Sequence, residues 1–161
     1  MDDVARSILR TLVCERGTAA LATLHDGLPF ASMVPIATVS TAAGFRLVTH
    51  VSRLAANTRD MRQAPEVCLL LTAPESAAMP QALPRVSIPA IAEFIPPEHA
   101  DYAALKAAYL AKHPQAAGLF QLGDFSIVAF TPLSARFVAG FGSAHTLKPE
   151  ALAALVEDGI V

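Results

Sequence analysis

Hydrophobic positions in this chain fall into short runs separated by turn residues, with helical spacing at both ends and in two inserted segments. Near the start Val4, Ile8, Leu12 and Val13 share one helical face, and Asp2 and Asp3 stand where a capping carboxylate is favoured. Gly17 follows Arg16, where a helix end favours glycine, so a helix is expected over residues 3–16. Thr18 to Leu24 reads as a strand and His25-Asp26-Gly27 as a hairpin turn, since glycine takes positive φ freely. The returning strand, Pro29 to Val39, contains Pro35, which cannot donate to a ladder and marks an edge, a bulge or an interruption.

Ser40 to Gly44 makes the next turn and Phe45 to Thr49 a third strand. A helix-compatible segment runs to about Gln63, and Pro65 breaks it. Glu66 to Thr72 is a fourth strand, Ala73 to Pro84 a proline-bearing loop, and Arg85 to Ile95 a fifth strand. Pro97 is expected to open a helix that runs to His113, with Pro114 as its stop. Asp124 to Phe130 and Ala135 to Phe141 then form a final strand pair joined at Pro132, and a closing helix covers about residues 149–158. The first connections are too short for parallel crossovers, which need about a dozen residues. The expected architecture is one mainly β (α+β) domain over residues 1–161, a six- to seven-stranded antiparallel sheet or small barrel with peripheral helices.

Composition adds one argument. Hydrophobic residues make up 53% and charged residues only 16%, against a usual charged share of roughly 25%. Such an apolar surplus points to a subunit interface or a buried cofactor. The net charge is −2 and the basic residues are scattered, which argues against a nucleic-acid partner. No run approaches the roughly 18 apolar residues of a membrane span, and the first residues are acidic where a signal peptide is basic. Cys14 and Cys68 read as buried free thiols, and the expected location is cytoplasmic.

Candidate chemistry concentrates after the third strand, in THVSRLAANTR. A helix start carries unpaired N–H groups and partial positive charge, so Ser52 and Arg53, with Asn57, Thr58 and Arg59 a turn or two on, make a phosphate seat. Ser52 also reads as a plain N-cap, which is compatible with that role, and Arg59 as the partner of a surface carboxylate. The five histidines (His25, His50, His99, His113 and His145) show no metal-ligand spacing, and no metal is expected. His50 reads as a hydrogen-bonded structural residue, His113 as a complement to the end of its helix, and His145 as the better axial haem candidate. Arg136, Phe137, Gly140 and Gly142 are read as either an interface segment or a strand ending in a glycine turn. No Ser-His-Asp or Cys-His arrangement can be argued, so catalytic residues stay unassigned.

Four strings taken together, GTAALATLHDGLPFASMVPIA, SRLAANTRDMRQAPEVCLLLT, PRVSIPAIAEFI and GDFSIVAFTPLSARFVAGFGSAHTLKPEAL, resemble the FMN-binding split β-barrel of the pyridoxamine-5′-phosphate-oxidase-like superfamily. The last string is similar to its haem-utilisation branch. The resemblance implies a homodimer with FMN at the subunit interface. The phosphate is then expected at Ser52, Arg53, Asn57, Thr58 and Arg59, beside Thr49 and His50. The flavin ring would lie along Ser32, Met33, Val34 and Pro35. It implies an FMN-dependent oxidoreductase of unknown substrate, with a haem-binding or haem-degrading protein and a non-catalytic flavin carrier as alternatives. Two positions depart from the family: Leu54 stands where many relatives have lysine, and Asp60 adds a charge beside the phosphate unless it faces away.

Overall fold

A computed structural model describes residues 1–75 and 79–157. Helix α1 (Asp3–Glu15) is capped by Asp2, whose carboxylate accepts from the Ala5 amide at 2.8 Å. It buries Ala5, Leu9, Leu12 and Val13, whereas Val4 is exposed. The buried stripe therefore starts one residue later than expected, with Leu9 and Leu12 at i+4 and i+7 from Ala5. Gly17 does follow the helix, but the chain leaves through an extended Arg16 and not through a left-handed glycine. Its smallness serves a close approach instead, because a Cβ there would meet the His113 ring at 3.4 Å.

Nine antiparallel strands are seen among the described residues: β1 (Thr18–His25), β2 (Leu28–Pro35), β3 (Ala37–Thr41), β4 (Gly44–Ser52), β5 (Glu66–Thr72), β6 (Arg85–Ile95), β7 (Phe125–Pro132), β8 (Ala135–Gly140) and β9 (Ser143–Leu147). Their order is β2-β1-β5-β6-β7-β4-β3, with β8 attached to β6 and β9 to β8. The count exceeds six or seven for two local reasons. The run from Pro29 to Val39 breaks at Ile36, directly after Pro35, and a strand lay hidden beyond the GFG turn. The Asp26-Gly27 turn has φ of 51° and 80°, the doubly positive geometry that matches hairpin twist.

The expected pairing of the last two long strands is corrected. β7 pairs with β4 and β6, while β8 pairs with β6 and β9. The cause is the length of β6. Its Ala90–Ile95 half takes β7, and its Arg85–Ser87 end takes β8. The two partners follow one another along a single strand and never become neighbours. Among the described residues three further α-helices, α2 (Ala56–Gln63), α3 (Tyr102–Lys112) and α4 (Pro149–Glu157), and two 3-10 helices (Pro80–Ala82 and Pro114–Gln121) complete the fold. The expected closing helix past Glu157 lies outside the described residues. α3 starts five residues after Pro97, because the Asp101 amide donates to His99 Nδ1 at 3.1 Å and holds a turn there.

The main core runs between the strands under α1 and α4, and includes Leu21, Leu47, Leu69, Ile88, Phe130 and Phe137. Phe137, read as an interface candidate, is fully buried in it. A second cluster, with Val48, Ile127, Leu105 and Tyr109, fills the space between the β4–β7 pair and α3. These two strands are thus covered on both faces, which explains their runs of consecutive buried residues. β2 and β4 are not ladder partners, yet Thr49 Oγ1 donates to the Pro35 carbonyl at 2.6 Å and draws them together. This closure without a ladder makes the sheet a split barrel. Among the described residues no helix is long and apolar enough to cross a membrane.

Candidate functional site

The β4–α2 junction is a tight turn built on Ser52. Its Oγ accepts from the Leu54 amide at 3.2 Å, and its carbonyl accepts from the Ala55 amide at 3.2 Å and from Thr58 Oγ1 at 2.7 Å. The turn delays the helix, so the N-cap is Ala55 and not Ser52, and no side chain caps the first amides. An uncapped helix start keeps its partial positive charge available. Arg53 donates its backbone N–H to the Asp124 carbonyl at 2.6 Å and its Nη2 to the Gly123 carbonyl. Leu54 and Arg59 are exposed.

The first turn of α2 is tied to β2. Asn57 Nδ2 donates to Ser32 Oγ at 3.0 Å, and Thr58 Oγ1 lies 3.5 Å from Asn57 Oδ1. Together with the bond from Thr49 to Pro35, this gathers Ser32, Pro35, Thr49, Ser52, Asn57 and Thr58 into one region. Strand alternation divides Met33 from Val34: Met33 is 69% exposed, and Val34 is buried in the main core. Asp60 faces away from the junction. Its buried carboxylate accepts from Thr23 Oγ1 and from His25 Nδ1, each at 2.8 Å. Burial alone would raise its pKa, but the bonds from His25 and Thr23 outweigh that and hold the carboxyl below its ordinary value.

His50 and Arg53 also line a separate cavity of about 440 Å³ bounded by α3, β6 and β7. The His50 ring is buried and stacks on Phe120, with centroids 3.8 Å apart and planes 2° from parallel. Burial first, and the Lys106 charge second, push its pKa down to about 4, so the imidazole is neutral near pH 7. The other histidines have local partners. His113 Nε2 meets the Ile36 carbonyl at 2.9 Å and so ties α3 to the β2–β3 break, rather than complementing its own helix. His145 Nε2 lies 3.1 Å from Ser143 Oγ.

A further surface was missing from the sequence reading. On the outer side of β1, β2 and β5, Ala20 stands between Met33 and Leu70, and Ala22 between Ala31 and Cys68. Met33 and Leu70 are exposed, as is Leu24 farther along β1. A shallow cavity of about 310 Å³ opens on this face, lined by Ala20, Ala31, Ser32, Met33 and Leu70, with Arg16 at its edge. The Nε of Arg16 is buried without a hydrogen-bond partner. The signal that could have revealed this face is the period of two in Thr18 to Leu24, where both sets of alternate residues are largely apolar.

Residues 2–153 match the family model described as CREG, beta-barrel. The non-canonical haem oxygenase HOZ of Arabidopsis thaliana chloroplasts is 30% identical over 157 residues, covering 94% of this chain and 46% of that protein. A haem-binding protein from Mycobacterium smegmatis superposes with a TM-score of 0.81 at 30% identity, covering 96% of this chain and 62% of that one. HutZ, the haem storage protein of Vibrio cholerae, gives a TM-score of 0.66 at 25% identity, covering 78% of this chain and 86% of its own. The chain thus spans about half the length of the Arabidopsis relative and three-fifths of the mycobacterial one. The resemblance to the haem-utilisation branch of the pyridoxamine-5′-phosphate-oxidase-like split barrels holds.

Proposed function

Because this chain belongs to the CREG β-barrel family, we propose that it binds haem as a homodimer whose two copies meet through the outer faces of β1, β2 and β5. The observation that carries this reading is the face itself. Ala20, Ala22 and Ala31 leave a flat apolar floor between Met33 and Leu70, and the Arg16 guanidinium, whose buried Nε has no hydrogen-bond partner, also lines the cavity. A porphyrin asks for a flat apolar surface, cations for its carboxylates and a ligand for its iron. Floor and cation are present. Among the described residues, those lining this cavity include no histidine, and Met33 is the lining side chain of a kind that ligates haem iron. About 310 Å³ on one copy is at the small end of ligand sites, and a second copy laid across it would complete the enclosure.

Haem, when bound, supplies the iron chemistry; the residues of this chain hold the macrocycle, pair with a carboxylate and exclude water. The reading is supported by relatives named for haem binding, haem storage and haem oxygenation. Two free cysteines, Cys14 and Cys68, suit a reducing compartment, and a cytoplasmic setting belongs to the proposal. Titration with haemin tests it. A Soret band that saturates at a fixed ratio of haem to chain is expected, and a merely linear rise in free-haem absorbance would overturn it.

A flavin reading is favoured by one observation: the Asn57–Ser32 bond joins the α2 start to β2, the segments expected to meet the FMN phosphate and ring. The uncapped helix start fits a phosphate, whereas Leu54 brings no cation and the Arg53 guanidinium is engaged by Gly123. The chain would then be an FMN-dependent oxidoreductase, or a flavin carrier if a nicotinamide donor fails to bleach the flavin. Quenching of FMN fluorescence on mixing, and its absence, decide for and against this second reading.

A further inference from the structure

The cavity of about 440 Å³ lies apart from the alanine-floored face and is built differently. Its walls are aromatic and aliphatic, with Phe94, Tyr102, Phe120 and Phe125 among them. Two guanidinium groups, from Arg53 and Arg62, line it, and among the described residues those lining it include no carboxylate. The Arg62 guanidinium carbon sits 3.9 Å from the centroid of the Phe94 ring. A guanidinium over an aromatic ring gains cation–π attraction and still carries N–H donors that can pair with a carboxylate. Deeper in stands His50, 6% exposed, whose Nδ1 is buried without a hydrogen-bond partner. A buried polar atom left unpaired is unfavourable, so a ligand that supplies its partner removes that cost.

We infer that this cavity is a second binding site, taking a small planar aromatic carboxylate. The aromatic walls receive the flat apolar body, the Arg62 donors receive the carboxylate, and His50 Nδ1 receives a polar group on the ring edge or a water that bridges to it. The volume falls within the roughly 300–1,000 Å³ of small-molecule pockets. No residue of this site other than His50 and Arg53 belongs to the expected cofactor seat, and none lines the alanine-floored face. The inference therefore stands whether or not haem binds, whereas a flavin phosphate would share His50 and Arg53 with it.

The test uses 2-naphthoate as probe and the ring ¹⁵N signals of His50 as reporter. The probe should shift those signals and saturate, and the uncharged isostere 2-naphthamide should bind at least tenfold more weakly. Arg62 is exposed, so Arg62→Gln should fold normally and weaken 2-naphthoate at least tenfold, with Arg62→Lys recovering part of the loss and haemin titration unchanged in both. His50 signals that stay fixed up to millimolar probe would overturn the site. Equal affinity for naphthoate and naphthamide, or for wild type and Arg62→Gln, would overturn the carboxylate assignment.

Discussion

Asp60 on α2 and His25 at the end of β1 meet through Oδ1 and Nδ1 at 2.8 Å, with Thr23 donating to the other carboxylate oxygen. This contact fixes α2 across β1 and turns the Asp60 charge inward, away from the junction where it would oppose an anion. Replacing Asp60 by Ala leaves two polar groups short of a partner and should cost about 2–4 kcal/mol of stability. A carboxylate with a depressed folded pKa stabilises above its unfolded value of 3.8 and loses that contribution as pH falls below it. Urea titrations from pH 7 to pH 3 should show this loss in wild type and a smaller one in Asp60→Asn.

His50 gives an acid response of opposite origin. The ring is neutral when folded down to a pKa of about 4, while the unfolded chain protonates it near 6.5. Protons therefore favour the unfolded state between these values, and stability should fall by at most about 3 kcal/mol as pH drops from 6.5 to 4. NMR titration of the ring should report the low midpoint, and His50→Phe should flatten that part of the stability curve. A midpoint near 6.5 would contradict the buried, unpaired state.

The face formed by β1, β2 and β5 is expected to pair two copies. Met33 and Leu70 are exposed in the single chain, so Met33→Lys with Leu70→Lys should leave monomer stability within about 1 kcal/mol. The same pair of changes should dissociate the dimer. Light scattering should give about twice 16.9 kDa for wild type and 16.9 kDa for the variant. A wild-type monomer at micromolar concentration would remove the dimer from the proposal.

Arg16 and Asn57 separate the two cofactor readings. Arg16→Ala should weaken haemin binding about tenfold, the worth of one charge-assisted pair, and leave FMN titration unchanged. Asn57→Ala, which cuts the tie from α2 to Ser32, should act on FMN and spare haemin. The reverse pattern would exchange the two sites.

Much of the backbone was legible because its signals are local. The Asp26-Gly27 turn, the break after Pro35 and the Asp2 cap follow from the conformations that a few adjacent residues allow. The site was legible only in part. The strand-to-helix junction stood where the sequence put it, but Ser52 proved to hold a turn and Ala55 the cap. Arg53 found Gly123, 70 residues away, and Asp60 found Thr23 across 37. Nothing near either residue in sequence encodes those partners.

By itself, then, the sequence determined where most strands and turns lie, since φ and ψ preferences and apolar periodicity act within a few residues. Only the tertiary structure decided which apolar face stays open and where Arg53 and Asp60 point. Burial on one side of β1 and exposure on the other depend on the helices and strands that arrive from elsewhere in the chain. An alternation of alanine and leucine looks the same from either side until those elements pack against it.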